Sequence, residues 1–379
     1  MDKTIGKNQL NIRLLFVHLS FWGFILGLPV LYMILGPRID TVNYENRNLA
    51  EKPVFSVSDI DSYPSDYEDY YNDNFPFRSK LITLNSRISY QVFGEGIGSA
   101  IVGRDGWLFY NADLIGDGRT LEQFKGARLF TEEELQSAAA SLEATAEWCA
   151  EHDCEFVLMI APNKERMYAE FMPESYQSSR VSSYCGTDQL VDYLRDNTDI
   201  RVVWAYEDLA EYKEMHPERP LYYRLDTHWN QLGGYIGSRA LLRELGIDVP
   251  SADEKVTHEQ ELEIGDLTMI MNLGASDLFS DTDYSFEGYP AAGMQINSYD
   301  PAGIIMYSMP DADPRNVMIY RDSFCLNMNL FLGEHFARIS MIAKDCWDPA
   351  LLEADHPDVL VYELTERFVE NLVDEHIQP

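Results

Sequence analysis

Four short, nearly unbroken apolar runs constrain this chain more than any other feature: EFVLMIAP (155–162), IRVVWAY (200–206), NVMIY (316–320) and DVLVYEL (358–364). Each is short for a helix and rich in β-branched or aromatic side chains. Their apolar residues are consecutive rather than alternating, so both faces of the resulting strands need cover. The expectation is an α/β domain built on a mostly parallel sheet. Helical spacing fills several of the gaps, and TEEELQSAAASLEATAEWCAEH opens with Thr131 three residues before Glu134, a capping-box pattern. FCLNMNLFLGEHF (324–336) also reads as helical. IVGRDGWLFY reads as a hairpin turning at Asp105-Gly106. The stretch from about 246 to 310 is richer in Gly, Asp and Ser and less periodic, which marks it as an insertion within a domain spanning 101–379.

The N-terminus carries a different signal. Leu14 to Leu35, LLFVHLSFWGFILGLPVLYMIL, contains no Asp, Glu, Lys or Arg and is long enough to cross a bilayer as a helix. Lys3, Lys7 and Arg13 precede it, so the positive-inside bias puts the N-terminus in the cytoplasm and everything after Arg38 outside. With no small-x-small cleavage pattern, residues 1–38 read as an uncleaved single-pass membrane anchor. Residues 39–100, rich in Tyr and acid and punctuated by Pro53, Pro64 and Pro76, read as an arm, first extended and then helical, that packs on the main domain.

Beyond residue 38 the chain has 25 basic against 62 acidic residues, and the whole chain has a pI near 4.4. Such a surface repels polyphosphate, which excludes nucleic acid as a natural partner. The five cysteines, Cys149, Cys154, Cys185, Cys325 and Cys346, show neither a disulfide framework nor metal-ligand spacing; they read mostly as small buried residues, with a Cys149–Cys154 bridge conceivable.

In an open parallel sheet, reactive groups gather in loops at the carboxyl ends of the strands. That rule brings Asn163 and Lys164, Arg321 to Ser323, and Glu366 and Arg367 to one edge. Asp226 and His228, in LYYRLDTHWNQLGG, form an Asp-x-His pair in which the acid can orient the imidazole and leave its other nitrogen free for a nucleophile. Ser323, at the turn after NVMIY, is the candidate nucleophile; Asp322 and Ser323 equally suit helix capping. Asn163 and Lys164 are candidate oxyanion donors, with Lys164 also suited to a carboxylate, of a ligand or of the fold itself. Arg321, Asp322 and Asn230 are candidate contacts around the site. Trp229 suits a sugar platform or the core equally, and Arg367 suits an internal pair with Glu363 or another carboxylate of the fold. Asp226 and His228 lack further ligands at metal spacing, so neither a metal nor a cofactor is expected.

Seven motifs in order carry a family resemblance: ENRNLAEKP (45–53), DNFPFR (73–78), GRDGWLFY (103–110), APNK (161–164), DTHWN (226–230), RDSF (321–324) and PDVLVYELTER (357–367). Together they resemble the DHHW group, which is similar to the SGNH-hydrolase-like domains of alginate O-acetylation proteins of the AlgX/AlgJ type. The resemblance implies a flavodoxin-like three-layer fold whose Asp/His element precedes the serine element. It also implies a Ser323–His228–Asp226 triad, O-acetylation of an exported polysaccharide, and a membrane-bound O-acyltransferase as partner. Arg321 stands where the usual block has glycine. A carbohydrate acetylesterase and a non-catalytic glycan-binding or scaffold protein are the alternatives.

Overall fold

The computed structural model describes the backbone of residues 2–35 and 48–378. The anchor boundary near Arg38, the first residues of the arm and the start of ENRNLAEKP lie outside the described residues. Two compact units divide at Gly94/Glu95.

In the first unit, the helix Asp2–Leu35 contains the 22-residue stretch Leu14–Leu35, with mean hydropathy 2.0, long and apolar enough to span a bilayer. After residue 48 come the helices Tyr63–Asp73 and Arg78–Ile88. The carboxylate of Asp73 accepts from the Ala50 amide at 2.8 Å, and Asn74 Nδ2 donates to the Ala50 carbonyl at 3.1 Å, tying the preceding segment to the first helix end.

The second unit contains eleven strands among its described residues. A hairpin pairs β1 (Ala100–Val102) with β2 (Leu108–Tyr110), and Asp105 and Gly106 both take positive φ at its turn. The main sheet contains β3 (Glu155–Ala161), β4 (Arg201–Trp204), β7 (Gln295–Tyr299), β8 (Ile304–Ser308), β9 (Asp313–Arg321), β10 (Phe336–Ala343) and β11 (Val359–Thr365) in the order β4-β3-β11-β9-β10-β8-β7. The first five in that order are mutually parallel; β8 and β7 continue the sheet antiparallel. All four apolar runs are strands of the parallel part. The stretch 246–310 contributes β7 and β8 to the sheet edge and also forms a separate ribbon of β5 (Val256–Leu262) and β6 (Asp281–Phe286).

Continuous apolarity is explained by cover on both faces, which gives a three-layer α/β architecture. Val157, Met159, Val317, Ile319, Val359 and Val361 face one core, which takes in Leu209 of the helix Tyr206–Met215 and Leu232 and Ile236 of the helix Gln231–Glu244. Phe156, Leu158, Ile160, Met318, Leu360 and Tyr362 face the other, beneath the helices Glu132–Glu151 and Gly186–Asn197. The capping box is present: the Thr131 side chain accepts from the Glu134 amide, and Glu134 accepts from the Thr131 amide.

The structure departs from expectation after Ser323. The residues 324–336 are not one helix: a 3-10 turn, Phe324–Asn327, leads to a short helix, Asn329–Gly333, and Phe336 opens β10, a fifth parallel strand. Helical spacing there is outweighed by the ladder that Phe336 to Ala343 form with β9.

The helix Gln231–Glu244 begins directly after the Asp-x-His loop and lies against the serine turn. A Cβ on Gly234 would stand 2.2 Å from the Asn327 carbonyl oxygen, so only glycine permits that approach. Gly234→Ala is expected to push the two segments apart. Lower urea-unfolding midpoint, together with weakened His228–Ser323 coupling in a histidine NMR titration, is the expected outcome.

Candidate active site

The residues from Leu221 to Asn230 have no regular structure apart from one bridge, Tyr222 to Trp229. Their backbone groups therefore need partners from elsewhere. Asp281, at the start of β6, accepts from the amides of Arg224 and Leu225, both at 2.9 Å. Lys164 Nζ donates to the carbonyls of Arg224 at 2.9 Å and Asp226 at 2.8 Å, and Asn327 Nδ2 donates to the Trp229 carbonyl at 2.5 Å. At the end of the loop Asn230 caps the next helix, its Oδ1 accepting from the amides of Leu232 and Gly233.

This loop meets the turn after β9. His228 Nε2 lies 2.8 Å from Ser323 Oγ, and His228 Nδ1 lies 2.7 Å from Asp226 Oδ1. Asp226 Oδ1 also accepts from the His228 amide at 3.1 Å, and Oδ2 accepts from the Asp266 amide at 2.9 Å. Although burial pushes the Asp226 carboxyl up, the hydrogen bond and charge of His228 outweigh it and hold the group below the usual carboxylate range. Burial pulls His228 down, but its bond to Asp226 and the nearby Asp226 and Asp266 charges leave it raised above 6.5. With Nδ1 facing a carboxylate, Nε2 is the atom that can take a proton from Ser323.

Other residues at this edge serve the protein's own backbone and core. Asp322 accepts from Phe324 N with one oxygen and from Thr365 N and Oγ1 with the other, so it ties the serine turn to the end of β11. Arg321 is buried, with its guanidinium donating to the carbonyls of Asp322 and Pro301. Trp229 is fully buried and donates to the Phe324 carbonyl at 2.9 Å; it belongs to the core and offers no face to a sugar. Asn230 is likewise buried in its capping role. Lys164, drawn down to about 8 by burial, holds the loop carbonyls and is no donor to a substrate.

Asn163 differs from these. It is buried at the end of β3, and its Nδ2 has no hydrogen-bond partner. The amide of Ser323 donates to none of the described residues either. Arg367 forms no ion pair with Glu363: its guanidinium lies 4.9 Å from the Phe368 ring centre, 5.6 Å from Tyr110 and 5.8 Å from Phe324, and Nε is unpartnered. Beside it opens a groove of about 290 Å³ lined by Arg119, Lys344, Arg367, Phe368, Asp117 and Glu370 among others. All five cysteines are free thiols and only Cys346 is exposed; Cys325 is buried and its thiol is raised well above its ordinary range.

Residues 100–286 match the family described as the SGNH hydrolase-like domain of the acetyltransferase AlgX. The fold is SGNH hydrolase-like, and the match covers just under half of the chain. The matched span includes Asp226 and His228, and Ser323 lies beyond it. Among curated proteins, the "probable alginate O-acetylase AlgJ" of Pseudomonas putida is 24% identical over 174 residues, which are 46% of this chain and 41% of that protein. The protein of the same description from Pseudomonas aeruginosa is 25% identical over 210 residues, 52% of this chain and 48% of that one. The chain thus spans about half the length of the curated relatives it matches. Among solved structures, PatB1 of Bacillus cereus aligns at 12% identity and TM-score 0.52, covering 70% of this chain and 95% of that one. A DHHW family protein from Eubacterium siraeum aligns at 14% identity and TM-score 0.48, covering 74% and 100%.

Asp266 and Asp281 escaped sequence reasoning. Both lie in the stretch 246–310, where Asp is common, and nothing local distinguishes a carboxylate that reaches back some forty or more residues. Ligand-type atoms of Asp226, His228 and Asp266 come within 4.8 Å of one another, and each residue is already engaged in the hydrogen bonds of this cluster. In this SGNH-like domain, Asp281→Ala leaves two loop amides without acceptors. The expected cost is about 1–3 kcal/mol for each amide, read as a fall in urea-unfolding free energy.

Proposed function

We propose that this protein is a membrane-anchored, extracytoplasmic O-acyltransferase that uses Ser323 as nucleophile, His228 as base and Asp226 as orienting acid to acetylate an exported polysaccharide. The observation that carries the reading is the unbroken hydrogen-bonded chain Ser323–His228–Asp226, assembled from two loops 95 residues apart. The N-terminal apolar helix supports the anchor, with the N-terminus cytoplasmic.

In the reaction, Ser323 Oγ attacks the carbonyl carbon of a donor acetyl ester and gives its proton to His228 Nε2. Collapse of the tetrahedral intermediate breaks the bond to the donor oxygen, which leaves with that proton. A sugar hydroxyl then loses its proton to His228 and attacks the acetyl-serine, restoring Ser323. The unpartnered Asn163 Nδ2 and the free Ser323 amide are the donors offered to the oxyanion. The similarity to AlgJ proteins, described as probable alginate O-acetylases, supports a polysaccharide acceptor. Lys344 and Arg367 in the neighbouring groove suit one that bears carboxylates, whereas Arg119 there is already paired with Glu122 and Glu370. A membrane-bound O-acyltransferase supplying acetyl groups from within the membrane is the partner this arrangement calls for.

Full-length protein in detergent is expected to release nitrophenol from 4-nitrophenyl acetate and to yield an acetyl-Ser323 peptide by mass spectrometry; Ser323→Ala is expected to lose both while keeping its unfolding midpoint. Undiminished turnover by that variant would overturn the proposal, and hydrolysis unaffected by added glycan acceptors would favour an acetylesterase. Asn163→Ala is expected to lower the acylation rate by ~10²–10³-fold. Because His228 must be neutral to act as a base, the rate should rise with pH through an inflection above 6.5, and Asp226→Asn should move that inflection to lower pH.

A further inference from the structure

The triad uses one carboxylate, but a second stands beside the same imidazole. Asp266 opens a short helix, Asp266–Ile270, in the segment leading to β6. Its backbone amide donates to Asp226 Oδ2 at 2.9 Å, its Oδ1 accepts from the Thr227 amide at 2.8 Å, and its Oδ2 accepts from Thr227 Oγ1 at 2.5 Å. Oδ2 lies 3.8 Å from His228 Nδ1, and Thr227 Oγ1 lies 3.1 Å from the same nitrogen. The approach depends on glycine: a Cβ on Gly265 would stand 2.3 Å from the Leu225 carbonyl oxygen. Leu267 N then donates to that carbonyl at 3.1 Å.

We propose that Asp266 is a second positioning carboxylate of the site, which fixes Asp226 and Thr227 in place and places its charge on the Nδ1 side of His228, away from Ser323. The inference rests on the Ser323–His228 reading above. When Ser323 Oγ–H breaks and Nε2 gains the proton, the resulting imidazolium faces two acids rather than one. Three hydrogen bonds converge on Asp226 and Thr227 from a single residue, which is more than a surface acid needs for solubility.

The surrounding charges agree with this role. Asp226 and Asp266 favour the protonated imidazole, while Arg367, at the end of β11, opposes it. Asp266 itself faces Asp226 and His228 from the loop, and both Lys164 after β3 and Tyr110 of β2 feel its charge. Burial, followed by the Asp226 charge, pushes Asp266 up to about 6. A carboxyl raised in the folded state contributes stability that is full below its unfolded value, near 4, and is lost as pH rises through about 6. At neutral pH the ionised Asp266 therefore opposes folding, in keeping with a charge retained for the imidazolium rather than for stability.

The test is a titration of full-length protein in detergent, labelled with ¹³C at histidine Cε1, comparing wild type, Asp266→Asn and Asp226→Asn. Removing the Asp266 charge is expected to lower the His228 titration midpoint by roughly 0.7 unit or more. The acid limb of Ser323 labelling by phenylmethylsulfonyl fluoride should move by the same amount, with no fall in the unfolding midpoint at pH 7. An unchanged His228 midpoint accompanied by lower stability would show a structural role alone and overturn the proposal. If Asp266→Asn does not fold, Asp266→Glu, which keeps the charge but displaces it, decides: a shifted His228 midpoint is expected, and an unchanged one would overturn the inference. Absence of Ser323 labelling in wild type would count against the acyltransfer reading, whereas the His228 titration would still decide the role of Asp266.

Discussion

The site depends on how an irregular loop is held. Residues 221–230 carry both the imidazole and the acid that orients it, yet the loop has almost no backbone ladder of its own. Unpaired amides and carbonyls there would each cost a desolvation penalty, so the loop is stable only where other segments supply partners. Asp281 and Asp266 accept from its amides, and the buried Lys164 and the half-buried Asn327 donate to its carbonyls. Its geometry is therefore a property of four distant segments.

The parallel sheet supplies the frame for that convergence. β11 lies between β3 and β9, so Asn163, Arg367 and Ser323 reach one edge from three neighbouring strands. Asp322 links two of those strand ends through Thr365, and Trp229 links the Asp-x-His loop to Phe324 through its indole N–H. Several residues that looked like substrate contacts thus hold Ser323 and His228 in place instead. This edge is consequently sparse, with Asn163 Nδ2, Arg321 Nε and Arg367 Nε as buried donors left without hydrogen-bond partners.

Legibility in the sequence followed the range of the forces involved. The four apolar runs, the hairpin turn at Asp105-Gly106 and the Thr131 capping box were readable because local sterics and period decide them. The strand from Phe336 was not, since its first residue falls in a helical spacing and its ladder partner lies some twenty residues earlier. Asp226, His228 and Ser323 were legible as a set because acid, base and hydroxyl are recognisable residue types at a predictable sheet edge. Lys164 and Trp229 stayed open for the opposite reason: a cation and an indole suit both ligand and core, and only burial separates the two.

The sequence by itself determined the α/β architecture, an apolar helix long enough for a membrane and the candidate triad, because periodicity, length and residue chemistry act within a few positions. Only the tertiary structure decided which polar groups remain available to a reactant. It gave Asp322, Arg321 and Asn230 to the protein's own backbone, left Asn163 Nδ2 unpartnered, and brought Asp266 from forty residues away to the far side of His228. Those outcomes depend on which distant amides and carbonyls compete for each side chain, and that competition exists only once the chain is folded.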